Sequence, residues 1–357
     1  MMMKECVTFK GGALACALCA AVCLVSAGSR AFAQSLNYQD GPRGGGGGGR
    51  GGYQPSEGEM KAAQAVQQAA DAPAAIAAAG EFLKKYAKSP IRARVGRVVA
   101  DKIGAVQDAT QRATLAESAA KLFDRPEEVA VVTPLLVSSY IDAKRFDDAY
   151  RVGGDWIGKH PEDVPMLTQL GLVGIDQARL RNTKYVPQSQ QYALKAVELI
   201  EANKKPATMA DAAWPSYKTE WLPTLYQSLG LLSFISGNST EARTRLEKAV
   251  SLGSTDPTTY ALLADMADKD YEDLAKQAMG MKVGADRNAA TQKAQAQLDK
   301  VIEMYAQSVA MSEGKAGFEK MHDQLLESLT GYYKYRKGST DGMQQLIDKY
   351  KKTNIKL

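Results

Sequence analysis

Few side chains in this sequence have the type and spacing to do chemistry. The four cysteines, Cys6, Cys16, Cys19 and Cys23, all fall at the start of the chain, and the two histidines, His160 and His322, lie far apart. Each histidine stands alone among residues of helical pattern, so both are expected at the surface, and no metal site is predicted. The carboxylate pairs Glu57/Glu59, Glu127-Glu128 and Asp147-Asp148 sit at expected helix starts. There they complement the positive end of the helix dipole, and they are not read as an acid/base couple. The run Gly44–Gly49 is not followed by Gly-Lys-Ser/Thr, so it is no phosphate loop. Neither a Gly-x-Ser-x-Gly turn nor a zinc-ligand spacing appears. The expectation is a chain with no catalytic residue, no metal and no cofactor.

The cysteines lie in a segment with its own logic. Lys4 and Lys10 precede an apolar stretch from Gly11 to about Ala27, and the small-x-small triplet Ala31-Phe32-Ala33 comes before Gln34. This is the pattern of a secretory signal peptide over residues 1–33, with cleavage after Ala33. One alternative is an uncleaved anchor, but the run is shorter than the ~20 apolar residues a spanning helix needs; another is a lipoprotein, for which Ala13-Leu14-Ala15-Cys16 is a poor version of the Leu-small-small-Cys box. Cleavage removes Lys4, Lys10, Arg30 and Glu5, lowers the net charge from +5 to +3, and leaves no cysteine. The exported protein is then periplasmic or associated with the cell envelope. It must be stabilised by burial without disulfides, which a body of this length can achieve.

Residues 34–58 are dominated by Gly44–Gly49 and Gly51-Gly52 and are read as a disordered spacer. Arg43-Gly and Arg50-Gly-Gly are too few for an RNA-binding segment. The whole chain of 357 residues carries 45 Lys+Arg against 40 Asp+Glu, of both signs throughout, which argues against a nucleic-acid partner.

From about residue 59 to 357 the chain is rich in Ala, Leu, Lys, Gln and Glu with apolar residues three and four apart, the period of an all-α domain. A repeat lies within it. Leu136 and Leu170, Leu229 and Leu263, and Tyr226 and Tyr260 are each 34 residues apart. Around them, Tyr140, Phe146, Ala149 and Pro161 in one unit, and Gly230, Gly237, Ala242, Leu246 and Ala249 in another, keep one helix-turn-helix register. These residues resemble the tetratricopeptide repeat family, with the clearest repeats at about 130–163, 164–206, 223–256 and 257–283. Small residues at the crossings let two helices approach, bulky ones fill the gaps, and Pro stops the second helix. The resemblance implies a right-handed helix-turn-helix solenoid, here with irregular helical insertions. An N-terminal pair is expected at about 59–70 and 74–87, a turn at Asp270-Tyr271-Glu272, a long helix from Gly284 to Ser312, and a last pair meeting at Gly338. The segment from Lys204 to Pro223 interrupts the array and carries Trp214 and Trp221, read as plugs of its edge, while Trp156 is read as core.

The family uses the face lined by the first helix of each unit to hold peptides or partner proteins. Carried over residue by residue, that groove comprises Ser138, Asp142, Thr168, Leu172, Asp176, Gln227, Leu231, Phe234 and Asp265. Ile141, Ile175, Ile235 and Asp268 stand beside them. A groove with an apolar middle and aspartates toward its ends implies a partner segment with apolar anchors and some Lys or Arg. The Lys/Asn pattern that clamps a C-terminal carboxylate in some members is missing, with Pro134 and Ser138 where it would begin. Glu327-Ser328 and Gly342-Met343-Gln344 are similar to elements of lytic transglycosylases, but their spacing is short and a lysozyme-like fold has no room after them. The sequence therefore predicts a non-catalytic protein- or peptide-binding scaffold in the bacterial envelope. The alternatives are a self-associating structural component and a cell-wall glycan enzyme.

Overall fold

A computed structural model of the chain describes residues 53–354. The expected signal segment and the linker up to Gly52 lie outside the described residues. Every regular element described is helical. The described chain divides into two compact units, one of residues 53–173 and 198–217, the other of 174–197 and 218–354.

The first unit opens with α1 (Glu57–Gln68), α2 (Ala72–Lys85), α3 (Arg92–Gly104), α4 (Ala109–Ala120), α5 (Pro126–Asp142) and α6 (Phe146–Lys159). Short polar side chains start three of them. Ser56 Oγ accepts from the Glu59 N–H at 3.2 Å, Asp71 Oδ1 from that of Ala74 at 2.8 Å, and Asp108 Oδ1 from that of Gln111 at 2.6 Å. Each helix packs on the next, and α1 also meets α3, α3 meets α5, and α2 meets α4. Contacts at both one and two steps along the chain define stacked antiparallel hairpins in two layers, the packing that a helix-turn-helix repeat requires. Ala75, Ala79, Ala113, Ala116 and Ala119 in α2 and α4 are fully buried, so that layer packs through small side chains.

An ion cluster ties α3 to α5. Arg92 Nε donates to Glu128 Oε1 at 2.5 Å, and its Nη2 to Glu128 Oε2 at 3.0 Å and Asp124 Oδ1 at 2.6 Å. Glu128, wholly buried, also accepts the backbone N–H groups of Asp124 and Arg125 at 3.2 Å. The charge is therefore satisfied on every side, which burial demands. The expected acid at a helix start is thus an inter-helix anchor as well.

The division between units falls within α7 (Val164–Arg179), α8 (Val186–Glu201) and α9 (Trp214–Ile235), the last preceded by a short 3₁₀ turn at Asp211–Ala213. In the first unit a Cβ on Gly153 of α6 would lie 2.6 Å from Leu170 Cδ1, so glycine sets how closely α6 and α7 pack. The second unit adds α10 (Ser239–Ser251), α11 (Pro257–Gly280), α12 (Ala285–Ser312), α13 (Glu319–Lys337) and α14 (Met343–Asn354). One core joins α9, α10 and α11 through Leu231, Ala242, Leu246, Leu262, Leu263 and Met266. Another joins α11 to α14 through residues such as Leu298, Tyr305, Leu325, Leu329 and Ile347.

The repeat residues land where their register places them. Leu136, Tyr140, Ala149, Leu229, Ala242, Leu246, Ala249, Tyr260 and Leu263 are all buried. The long helix ending at Ser312 and the last pair are present, and Gly338 turns the chain between α13 and α14 with φ +84°. Four expectations need correction. The chain is helical from Glu57, because Ser56 caps it and Tyr53 donates to Glu59, so the spacer ends sooner than 58. A hairpin missed between the first pair and residue 130 is formed by α3 and α4. No turn occurs at Asp270-Tyr271-Glu272; α11 runs straight through, since none of these residues breaks a helix and α11 packs along the long α12. Finally, the irregular segment stops at Ala213, and both Trp221 and Pro223 lie inside α9.

Candidate functional site

In the first unit, Ser138 is half-buried on α5 and its Oγ donates to the Leu135 carbonyl at 2.9 Å. Asp142, at the end of the same helix, pairs with Arg112. Thr168 is fully buried and its Oγ1 accepts from Tyr217 at 3.0 Å, whereas Leu172 is half-buried. In the second unit, Asp176 pairs with Arg179 at 3.2 Å, and burial raises its carboxyl above the ordinary range. Gln227 and Leu231 of α9 are buried, while Phe234 is half-buried against the same core as Leu231. Ile235, the next residue, is 53% exposed.

The groove expectation is corrected at three positions, Thr168, Gln227 and Leu231, all buried. Thr168 and Leu231 are packing residues, closed to a partner, because the neighbouring helices already cover the side of the first helix on which they lie. Trp214 and Trp221 are buried as well, and Trp214 Nε1 donates to Asn203 Oδ1 at 2.9 Å. Trp156 is core, its Nε1 donating to Asp163 Oδ2 at 2.6 Å.

Asp265 belongs to a cluster that the sequence pattern only partly indicated. It is half-buried on α11, one turn before buried Asp268, which accepts hydrogen bonds from Tyr332 of α13 and, at 3.5 Å, from Tyr305 of α12. Burial, then the negative charge of Asp268, pushes the Asp265 carboxyl up to about 6. Burial first, and then Glu272, raise Asp268 too, against its tyrosine hydrogen bonds.

A cavity of about 450 Å³ is lined by residues of α9, the α10–α11 turn and the α12–α13 turn, among them Glu220, Pro223, Gln227, Asp256, Lys315 and Phe318. The Gln227 Nε2 atom is sealed from solvent and meets no hydrogen-bond partner. Lys315 donates to the Thr255 carbonyl, and burial holds its ammonium below the ordinary range, against the opposing charge of Asp256. Sequence reasoning placed only Gln227 of these in a site: Glu220 and Pro223, though on the same helix, lie in the segment read as interrupting the array, and Asp256, Lys315 and Phe318 come from turns far away in the chain.

No family model matches this chain. No curated protein matches it either. Among solved structures it is similar to a tetratricopeptide repeat protein from Parabacteroides merdae ATCC 43184, at 14% identity, over 76% of this chain and 98% of that one, with a TM-score of 0.37. The assignment of stacked helical hairpins rests on the chain's own packing, above all the one-step and two-step contacts of α1 to α5. Among the described residues, no group of three or more His, Cys, Asp or Glu side chains could hold a metal ion, and no helix is long and apolar enough to cross a membrane. Glu327 is exposed on α13, and no cavity named above includes it.

Proposed function

We propose that this protein is a binding scaffold of the cell envelope that holds a protein or peptide partner on the first helices of its hairpins. One observation supports this reading most. At the end of α9, Ile235 is 53% exposed beside half-buried Phe234, at two positions where the repeat register puts groove residues. An exposed aliphatic side chain beside a half-buried aromatic is apolar surface on which a partner segment can anchor. Export is proposed on the positive, apolar and small-x-small order of residues 1–33.

In-cell crosslinking of the tagged protein, followed by mass spectrometry of the envelope fraction, tests the proposal. The expected result is one stoichiometric partner crosslinked to α5, α7 or α9, and its loss in Ile235→Asp with helicity unchanged. Self-crosslinks alone would replace the reading with a self-associating structural role.

A further inference from the structure

The cavity beside Gln227 has features that a partner-binding groove does not explain. A buried amide group without a hydrogen bond costs roughly 1–3 kcal/mol, so native proteins keep few of them. Gln227 is 3% exposed, its Nε2 meets no partner, and its side chain lines a cavity large enough for a small molecule. The torsion that carries a glutamine amide is broad and two-fold, so rotation about it can bring the nitrogen out of its sealed position toward that cavity.

The other lining groups narrow the chemistry of what would fit. Lys315 offers an ammonium that already donates to the Thr255 carbonyl and has protons to spare. Asp256 accepts the Thr258 N–H at 2.7 Å and keeps further acceptor capacity, and Glu220 adds a second carboxylate. Pro223 and Phe318 supply apolar surface. A simple anion would face two carboxylates, and a simple cation would face Lys315. A ligand with both charges and an apolar group is opposed by neither.

We infer that this cavity binds a small zwitterion of the amino-acid type, its carboxylate oxygen meeting Gln227 and Lys315, its ammonium meeting Glu220 and Asp256. The ligand is a free amino acid or dipeptide, because either end of a longer peptide carries only one of the two charges. This site does not depend on the scaffold reading: it stands if no partner protein is captured, and falls if the cavity is empty while a partner is found.

Calorimetric titration of the purified protein with alanyl-leucine, N-acetyl-leucine and leucinamide tests it. Alanyl-leucine is expected to bind, and each blocked probe, lacking one charge, to bind roughly tenfold more weakly or worse. Gln227→Leu removes the amide at nearly constant volume; it should weaken alanyl-leucine by about tenfold while the melting temperature is kept or raised. Should Gln227→Leu not fold, Lys315→Met serves, since that half-buried side chain lies in a turn. Failure of alanyl-leucine to bind the wild type overturns the proposal, as does wild-type affinity in the folded variant. A decapeptide ending in Ala-Leu, with its amino end acetylated, checks that a longer peptide is excluded. Equal affinity for it would remove the need for the ammonium and overturn the zwitterionic assignment, whereas weak binding supports a free small ligand.

Discussion

At the scale of single residues, the molecule keeps its buried charges in two different ways. Glu128 is surrounded by donors from Arg92 and from two backbone N–H groups, so removing it leaves a buried guanidinium with only exposed Asp124 and the Ala87 carbonyl as partners. Glu128→Ala is expected to cost about 3–5 kcal/mol, read by urea denaturation, because it takes from a buried charge its only buried counter-charge. Asp265 is the opposite case, a half-buried carboxyl beside another acid. Its carboxyl rises from the ordinary 3.8 to about 6 in the folded chain, so folding favours the protonated form. The resulting stability is full below the unfolded value and is lost as pH rises through about 6. Asp265→Asn should therefore flatten the pH dependence of melting over that window and stabilise the protein at pH 7 by roughly 1–3 kcal/mol. Unchanged melting-versus-pH curves would show that Asp265 is not the group responsible.

At the scale of elements, close helix crossings are held by residues whose size the repeat register dictates. A Cβ on Gly230 of α9 would lie 2.8 Å from Leu246 Cγ and 3.3 Å from the Leu246 backbone nitrogen. Neither atom is the free end of a flexible chain, so Gly230→Ala must push α10 away, at about 1–3 kcal/mol. Combined with Leu246→Ala, the loss should be less than additive, since the second change opens the space that the first one fills. The small residues of this crossing were legible in the sequence because Gly230, Ala242 and Ala249 share a register with the bulky residues around them. The continuous α11 was not. Asp270-Tyr271-Glu272 fits either a turn or a helix interior, and only the long partner α12 decides between them. Pro223 likewise reads as a break, yet α9 continues through it, with tertiary packing of Trp221, Leu225 and Leu229 offsetting the lost hydrogen bond.

At the scale of the whole molecule, cysteine placement makes a prediction that needs no structure. A chain beginning at Gln34 contains no thiol, so its melting temperature should be the same with and without a reductant. Intact-mass measurement of the protein recovered from the envelope should place its first residue at Gln34. A mass that retains residues 1–33 would favour the anchor alternative. The helical class and the register of the hairpins around Leu136 and Leu229 were determined by the sequence alone, because periods of three to four residues and small residues at fixed crossings are local properties that packing has to obey. What the tertiary structure decided is which polar residues are enclosed and by whom. Thr168 and Leu231 read as groove residues until neighbouring helices cover them, and Glu128 reads as a helix-start acid until Arg92 arrives from α3. Gln227, Asp256 and Lys315 meet around one cavity only after α9 and two distant turns come together. Burial and long-range charge pairing depend on which elements become neighbours, and no spacing along the chain encodes that.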